Sequence, residues 1–598
     1  MSGVPGRVEA GTPAIDNALT RATMIHLAVV LVGVALTRLV FGSPEGGVSA
    51  SASAVVLQNI MFLFVQDAPV AAFLAASTIC LRLLPARAWQ QPARLIEGGL
   101  WSRAAMRPDV VCWALAVLTF ALTYAGRILM HHGLDFVADE FFPWFQARIF
   151  LEGRLFAPID RDWSGFAMAL EPYFAHIDLE RGLWGSSYRP GHAALRAVAM
   201  WIGDDALLNP VLAAGSVLLI GRIACIAVPQ CRFAAALAGL LLLASPQFLG
   251  MAVSGFSYTA HLFFCLLWLA LFLRADLRGH IAAALVGAFA IGLHQVHVHP
   301  LFAAPFLLAH LFGHYGRSRA SLATYAIAYS VALVFWVFWI EIATAIQAGD
   351  LSVLLGSVRA PAYLRAFEGG TAELNRTWHI VVGPEMSANL LRLAAWLSPA
   401  LLVLVLMALP RFRQLSLTVR LATAGVVLVI GAHAVLMPVQ IHGWGYRYAH
   451  PILGNLVLLA VAGFPAGQPE ARRAGAVVAV MLLISALVLI PWRAQQIEAR
   501  IAPRAAALDE IGRLDADVVL LDHTDFWFGV DLLHNDPFLR NRPLVMTLRR
   551  LTPAQIEALS HHRVVRIGPD GLAGAGLGQG SWIEPRILPE RAGGAQAE

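Results

Sequence analysis

The chain has 598 residues, of which 58% are hydrophobic and only 14% are charged. A soluble domain carries about 25% charged residues, so this composition and a mean hydropathy of +0.67 indicate that lipid is much of the solvent. The net charge of +5 is small and evenly spread, which argues against nucleic acid as a partner. All 43 basic residues are arginine, which excludes chemistry based on a Schiff-base or P-loop lysine.

The hydropathy pattern predicts an α-helical, polytopic membrane protein. A membrane-crossing helix needs roughly 20 mainly apolar residues, and about thirteen runs reach or approach that length. They lie at 24–41, 55–82, 109–130, 206–228, 233–250, 258–273, 281–296, 300–313, 322–346, 389–409, 418–438, 450–464 and 474–491. The five cysteines all lie in or beside apolar segments, which argues against a disulfide framework or a cysteine metal site.

The positions of the arginines orient these spans. Five arginines fill the connection 82–107, and arginine pairs mark alternate later connections, at 274 and 278, 317 and 319, 411 and 413, and 472 and 473. Loops rich in arginine stay in the cytoplasm, so the loops 131–205, 347–388 and 439–449 and the tail after residue 491 are predicted to face outward. We therefore expect a bacterial inner-membrane protein with a cytoplasmic N-terminus and a periplasmic C-terminal domain.

This topology divides the chain into three predicted regions. Residues 1–108 hold the N-terminus and two additional spans, and residues 109–491 form the main membrane domain, which includes the outer loop 131–205. Residues 492–598 are predicted to form a small soluble α/β domain with a disordered, Gly- and Ala-rich tail. The secondary structure expected there comprises strands at 517–522, 544–546 and 564–567 and a helix that opens at Thr552-Pro553.

The outer loop 131–205 carries two adjacent acids, Asp139 and Glu140, soon after a span. Asp139 is predicted to be the N-cap of a helix that has Pro143 in its first turn and ends at Gly153. The apolar side of that helix predicts that it lies in the membrane interface; the side comprises Phe142, Phe145, Ile149 and Phe150. Asp139 could also do no more than cap the helix.

Two further motifs follow along the chain. Ser187-Tyr188-Arg189-Pro190-Gly191-His192 precedes the next span, and a Ser245-Pro246 step lies within an apolar run. The order of these motifs after Asp139-Glu140 resembles that of the GT-C membrane glycosyltransferases. The likeness is to the family 39-like branch of the protein O-mannosyltransferases and the lipid A aminoarabinose transferases. It covers about residues 109–465.

The resemblance implies an inverting transfer of a sugar from a polyprenyl-phosphate lipid to a glycan, lipid or protein acceptor at the outer face. It assigns the general base to Asp139, with Glu140 as a helper or substrate contact. Arg189 is expected to face Asp139 and to stabilise the leaving phosphate, with Tyr188 and His192 as further substrate contacts. Other acids of the loop could supply a second acidic ligand, namely Asp160, Asp162 and Glu171.

Polar residues interrupt the apolar pattern at two more places. His294, His297 and His299 join two short runs, where they could bind a divalent metal, contact the donor or form a polar break bonded to the backbone. Tyr446 and Arg447 open the twelfth run, similar to an Arg-Tyr motif of the family, and suit a phosphate and a sugar ring. An aromatic belt with a snorkelling arginine would show the same residues. The sequence requires no cofactor.

A transporter or flippase is the competing interpretation, with buried charges along a translocation path. Such a protein should have similarly broken spans in two halves, and it rarely needs an outer loop of 75 residues. A third possibility is a scaffold that has lost catalysis, against which the acids and the arginine of the two motifs argue. Inside the spans, Asp67 is expected to pair with Arg38, and Glu341 to line the cavity.

Overall fold

The computed structural model describes residues 14–41, 61–89, 91, 107–171, 174–357, 382–440, 442–523, 527–568, 571 and 590–591. Helices dominate these residues. In chain order they are α1 (Ala14–Phe41), α2 (Ala68–Leu83), α3 (Pro108–Leu129), α4 (Ala138–Leu151), α5 (Ala167–Leu170), α6 (Gly191–Ile202), α7 (Leu208–Ala227), α8 (Ala234–Leu243), α9 (Pro246–Ala252), α10 (Tyr258–Phe272), α11 (Leu277–Ile291), α12 (Val298–Leu311), α13 (Arg319–Val337), α14 (Trp339–Ala348), α15 (Ser352–Ser357), α16 (Val382–Trp396), α17 (Pro399–Ala408), α18 (Leu417–Leu436), α19 (Leu453–Gly463), α20 (Ala471–Ile484), α21 (Ile490–Arg513) and α22 (Pro553–Ala558).

A helix lies at every predicted apolar run, but the predicted count of thirteen spans is not confirmed. Within the described residues, seven helices are long and apolar enough to cross a membrane, and nine if each of two bent pairs is one span. A Ser-Pro step lies at both bends. Ser245-Pro246 lies between α8 and α9 (65°), and Ser398-Pro399 lies between α16 and α17 (112°). Proline breaks a helix because it lacks the N–H and its ring clashes with the preceding turn.

Three further apolar helices, α10, α11 and α12, have only 14 or 15 residues. At 1.5 Å per residue, such a helix is about 22 Å long, which is less than the roughly 30 Å of the hydrocarbon layer. The hydropathy pattern located these helices correctly, yet their lengths fall short of full spans.

Two small sheets lie outside the helical bundle. In the outer loop, β1 (Ala157–Pro158), β2 (Ala175–Asp178) and β3 (Leu183–Ser186) form an antiparallel sheet of order β1-β3-β2. In the C-terminal region, β4 (Val518–Leu521), β5 (Leu544–Thr547), β6 (Val564–Ile567) and β7 (Glu590–Arg591) form a sheet of order β5-β4-β6-β7. β4 pairs in parallel with β5 and β6, and Thr552 caps α22 through a capping box. The strands and the helix thus lie where the C-terminal sequence predicts them.

The last span continues into the C-terminal region without a break. One helical stretch covers Ala471–Arg513 and crosses the predicted domain boundary at residue 491. Its second half, α21, is rich in arginine and reaches the C-terminal sheet through Ala507 and Ile511, which are buried against it. The sheet is therefore attached to the bundle by a continuous helix.

The apolar side of α4, from which an interfacial position was predicted, is covered by protein rather than free to face lipid. Phe142, Phe145 and Ile149 are at most 2% exposed. They belong to a cluster that contains Val518 and Leu544 of the C-terminal sheet. Burying an aromatic or aliphatic side chain of this size contributes roughly 1.5–3 kcal/mol, so the C-terminal sheet and α4 stabilise one another.

A buried aspartate, Asp67, fastens the start of α2 to later helices of the bundle. Asp67 ends a π-helical turn before α2 and is fully buried. Its carboxylate lies 2.8 Å from Arg493 Nη1 and 3.4 Å from Arg392 Nε, and it accepts a hydrogen bond from Trp396 Nε1 at 2.8 Å. These partners replace the predicted pairing with Arg38, whose side chain lies outside the described part.

Candidate active site

Helix α4 presents Asp139 in its first turn. The helix begins at Ala138 after an extended Val137, so the predicted role of Asp139 as N-cap is wrong. The N–H of Ala138 donates instead to Asp531 Oδ1, 3.4 Å away. Pro143 lies inside the helix rather than in its first turn. Because proline has no N–H, Pro143 cannot donate to the Asp139 carbonyl. The Asp139 carboxylate is thus available to tertiary partners.

Two residues from distant parts of the chain hold the Asp139 carboxylate. Oδ1 accepts a short hydrogen bond from the Tyr188 hydroxyl, and Oδ2 accepts one from Arg447 Nη1 at 2.6 Å. The Asp139 side chain is 17% exposed and that of Arg447 is 7% exposed. The three residues belong to the three polar motifs that the sequence singles out, and they meet although 308 positions separate Asp139 from Arg447.

The loop that carries Arg447 depends on two glycines. Gly443 and Gly445 have φ angles of +137° and +66°, a region that favours glycine. A side chain at Gly445 would also overlap the Gln247 side chain. Gln247 Oε1 accepts a hydrogen bond from the N–H of Tyr446 at 2.9 Å, and the N–H of Arg447 donates to Gln440 Oε1 at 2.9 Å. The loop path therefore sets the direction in which Arg447 leaves the backbone.

Aromatic rings enclose the guanidinium of Arg447. Its central carbon lies 5.0 Å from the ring centroid of Tyr448, 5.4 Å from that of Phe256 and 5.8 Å from that of Tyr258. Nη2 also donates to the Tyr448 hydroxyl at 3.2 Å. Cation–π contacts of this kind fix a cation within about 6 Å of a ring and strengthen when water is excluded. The rings thus position a desolvated positive charge beside Asp139.

The charges around Asp139 keep it ionised. Burial raises the pKa of Asp139, but the positive charge of Arg447, the nearby His294 and the Tyr188 hydroxyl outweigh it, so the pKa lies below its ordinary value. A carboxylate that accepts two such hydrogen bonds is a weak base in this state. Loss of either partner would raise its pKa and make it a stronger base.

Glu140 faces a different environment from its neighbour. It is fully buried, Oε2 accepts from the N–H of Gly255 at 2.8 Å, and Arg127 Nη1 lies 3.9 Å away. Burial and the negative charge of Asp135 raise the pKa of Glu140 to about 8, against the opposing effect of Arg127. Glu140 therefore carries a proton at neutral pH, and its contacts lie in a structural network rather than beside Asp139.

That network consists of Asp135, Arg127, Arg196 and Asp205, all largely buried. Arg196 forms a double contact with Asp135 and a close pair with Asp205, while Arg127 Nη2 lies 3.0 Å from Asp135 Oδ1. Arg196 also donates to the carbonyl of Glu140 at 2.8 Å, which ties α6 to the first turn of α4. The sequence argument missed these two arginines, although buried charge at the end of a span usually indicates such pairing.

Arg447 occupies the position facing Asp139 that the sequence assigned to Arg189. Arg189 is 4% exposed and donates to the carbonyl of Trp336 at 2.6 Å and to that of Ser187 at 3.3 Å. It thereby satisfies a carbonyl at the C-terminal end of α13, as basic residues commonly do. His192 of the same motif lies 3.1 Å from the Gly255 carbonyl through Nε2.

The three histidines after α11 turn towards different neighbours. The His294 ring lies 4.4 Å from that of Tyr188, His297 lies 3.4 Å from His433, and His299 lies 2.8 Å from the Tyr329 hydroxyl. Among the described residues, no group of three His, Cys, Asp or Glu side chains could hold a metal ion. Only His294 of the three borders Asp139.

The other predicted residues have different surroundings. Tyr446 is fully buried and its hydroxyl faces the sulfur of Met386 at 3.8 Å. Glu171 is 2% exposed, and burial raises its pKa well above the ordinary value. Glu341 is 3% exposed on α14, and Asp162 is exposed on the outer loop. None of these four contributes a described contact to Asp139.

The chain matches no family model and no curated protein. It is similar to two crystal structures of ArnT from Cupriavidus metallidurans. The ArnT structure bound to undecaprenyl phosphate gives a TM-score of 0.44 at 13% identity, over 78% of this chain and 93% of that chain. The apo ArnT structure gives 0.43 at 15% identity, over 77% and 93%. Likeness of this degree does not establish an activity, so the chemistry of this chain follows from its own site.

Proposed function

We propose that this protein is a GT-C type membrane glycosyltransferase. It moves a sugar from a polyprenyl-phosphate lipid to an acceptor hydroxyl at the outer face of the membrane. The observation that carries the proposal is the contact of Asp139 with Tyr188 and Arg447, which unites in one site the three motifs that resemble those of the family. A carboxylate, a phenol and an aromatic-lined arginine provide a base and an anion site side by side.

The proposed reaction is a single displacement with inversion at the anomeric carbon. The acceptor oxygen attacks that carbon while its proton passes to Asp139. The bond between the sugar and the lipid phosphate breaks, and its electron pair remains on the phosphate oxygen. Arg447, with Tyr188 beside it, stabilises the negative charge that develops there. The products are the glycosylated acceptor and the free polyprenyl phosphate.

Donor binding also explains how a weak base becomes effective. A phosphate beside Arg447 competes with Asp139 for the guanidinium N–H groups, because both are anions. Once Arg447 turns to the phosphate, Asp139 loses its strongest stabilising partner and its pKa rises. Asp139 is then a strong base only when the donor is present. In the free enzyme it stays ionised and takes up no proton.

The arrangement of the outer segments supports an outward-facing site. The contacts join the loops 131–205 and 439–449 and the C-terminal region, which the arginine pattern predicts on the same side. We propose that all three face the periplasm of a bacterial inner membrane.

Transfer assays with the purified full-length protein test the proposal. The wild type should transfer sugar from at least one polyprenyl-phosphate donor in a panel, and Asp139→Asn should reduce the rate by on the order of 10²–10⁴. The matched control is Asp162→Asn, an exposed acid of the same loop, which should keep the wild-type rate. Full activity in Asp139→Asn would contradict the assignment of the base.

One observation favours the transporter interpretation as the second candidate. Two helix pairs are broken at Ser-Pro steps, and discontinuous helices at corresponding places are typical of transporters. The breaks differ in angle, 65° against 112°. Flux of a lipid-linked or small polar substrate in proteoliposomes, at a rate that Asp139→Asn leaves unchanged, would favour transport over transfer.

A further inference from the structure

Asp531 connects the two elements that carry Asp139 and Arg447. It lies in the 3-10 turn Trp527–Leu532 between β4 and β5, and its side chain is 7% exposed. Its Oδ1 accepts from the N–H of Ala138, the first residue of α4, at 3.4 Å. Its Oδ2 lies 3.6 Å from Nε2 of His442, near the start of the Arg447 loop. One carboxylate thus bridges the helix that carries the base and the loop that carries the arginine.

A second contact fixes Asp531 from the bundle side. Arg504 of α21 places Nη2 3.9 Å from Asp531 Oδ2, and its guanidinium lies 4.5 Å above the ring of Phe136, just before α4. The Phe136 ring also packs against the His442 ring at 5.4 Å. Arg504 therefore holds Asp531 against both segments that it joins.

The residues after Asp531 fasten the same region to the outer loop. The His534 ring stacks on Phe141 of α4 at 4.5 Å, and Trp184 donates to the Pro537 carbonyl at 2.8 Å. Asn535 donates to the Leu170 carbonyl at 3.1 Å. We call residues 531–541 the clasp. The clasp contacts α4 at Ala138 and Phe141 and the outer loop at Leu170 and Trp184, so a displacement of the clasp would disturb the helix that carries Asp139.

We infer that Asp531 is a positioning residue that holds the first turn of α4 so that Asp139 faces Arg447. The C-terminal region is then part of the active site's scaffold rather than an appended domain. This inference rests on the proposed function for its kinetic consequence, but its structural consequence stands apart from it. Asp531 acts through the Ala138 N–H bond, since that bond replaces the missing local cap at the start of α4.

The test compares Asp531→Ala with Asp531→Asn in the full-length protein. Asparagine can accept the same hydrogen bond and caps helices as well as aspartate does, whereas alanine cannot. Asp509→Ala is the control, because Asp509 is 74% exposed on α21. Three quantities are measured: amide hydrogen exchange in α4, and the kcat and the donor KM of sugar transfer.

Asp531→Ala should speed exchange in the first turn of α4 and lower kcat by about 10- to 100-fold, since small misplacements of a reacting group have effects of that order. The donor KM should change less than kcat. Asp531→Asn should restore hydrogen exchange in α4 and kcat to within about threefold of the wild type, and Asp509→Ala should change neither of these two. Unchanged exchange and kcat in Asp531→Ala, or an Asn variant no better than the Ala variant, would overturn the inference.

Exchange in β5 separates a positioning effect from a folding defect. If Asp531→Ala also speeds hydrogen exchange in β5, that variant reports a general loss of the C-terminal sheet. The inference is then judged on Asp531→Asn alone, which has to keep hydrogen exchange in α4 and kcat within about threefold of the wild type. If the wild type transfers no sugar, the proposed function fails, while exchange in α4 still tests whether Asp531 holds the helix. The two failures are therefore distinguishable.

Discussion

Two aspartates of this protein are each held by arginine and aromatic side chains, but in different ways. Asp67 is fully buried and meets two arginines and the indole of Trp396. Asp139 is 17% exposed and meets one arginine and one phenol. The first arrangement is shielded from solvent, so its carboxylate has no access to a substrate. The second leaves part of the carboxylate exposed and has a partner that an incoming anion can draw away, which is why we assign chemistry to Asp139 and fastening to Asp67.

Neutralising Asp67 should have the largest effect on stability. Asp67→Asn leaves Arg392 and Arg493 buried without their counter-charge, and breaking a buried ion pair costs about 3–5 kcal/mol. Asp139→Asn, at a partly exposed site, should cost clearly less. Thermal unfolding of both variants in the same detergent measures the contrast. Equal losses for the two variants would remove the distinction between a fastening and a reactive aspartate.

Arg447 and Arg189 should differ in their effect on donor binding. Arg447→Gln removes the cation beside Asp139 and should weaken donor binding by roughly 10- to 100-fold, the value of a charge-assisted hydrogen bond of about 1.5–3 kcal/mol. Arg189→Gln should act mainly on the stability of the α13 end, because its guanidinium bonds carbonyl oxygens there. Donor KM and melting temperature, measured on both variants, check this. If donor KM changes more in Arg189→Gln than in Arg447→Gln, Arg189 rather than Arg447 binds the donor phosphate.

The pH dependence should report the change of partner at Asp139. The groups facing Asp139 are Arg447, His294 and Tyr188, with Asp531 and Glu140 nearby. In the free enzyme the pKa of Asp139 lies below its ordinary value, so the acid limb of kcat/KM should lie below pH ~3.9, the ordinary value for aspartate. Because donor phosphate draws Arg447 away, the acid limb of kcat, which reports the complex, should lie at higher pH.

Arg447→Gln provides the matched variant for this profile. Without the guanidinium charge, the acid limb of kcat/KM should move to higher pH and approach that of kcat. Coincident acid limbs in the wild type would contradict the exchange of partners, although Asp139 could still be the base.

Glu140 should give the smallest effect of the set. Burial raises its pKa to about 8, so glutamine resembles the neutral acid present at pH 7, and Glu140→Gln should keep transfer within about threefold of the wild type. An unfolded glutamate ionises near pH ~4.3, so the native state binds the extra proton between there and about 8. Wild-type stability should therefore fall as pH rises through this window, and Glu140→Gln should lack that loss. A collapse of transfer in Glu140→Gln would make Glu140 a catalytic residue.

The sequence predicted the members of the site better than their pairing. Asp139, Tyr188 and Arg447 were all identified from motifs, because polar residues among apolar runs are costly and stand out. Arg189 was expected to face Asp139 because its motif resembles the basic-Pro element of the family. The choice between two arginines depends on the path of the 443–445 loop and on the rings around Arg447, which only the tertiary structure determines.

The helices show a similar limit. Apolar runs located helices throughout the membrane domain, but Pro246 and Pro399 break two of them and several others are short, so the described residues do not confirm the count of runs as a count of spans. The capping rule placed Asp139 before α4 because it considers only the local backbone. The actual partner of that helix end, Asp531, lies 393 positions away from Ala138, and no local pattern could reveal it.

Single-turnover transfer from a synthetic polyprenyl-phosphate sugar tests the central claim most directly, because it isolates the chemical step at Asp139 from donor binding. With saturating donor, the wild type should form a product of inverted anomeric configuration, and Asp139→Asn should form it on the order of 10²–10⁴ times more slowly while it binds the donor normally. A single-turnover rate in Asp139→Asn equal to that of the wild type, or a product of retained configuration, would contradict the account.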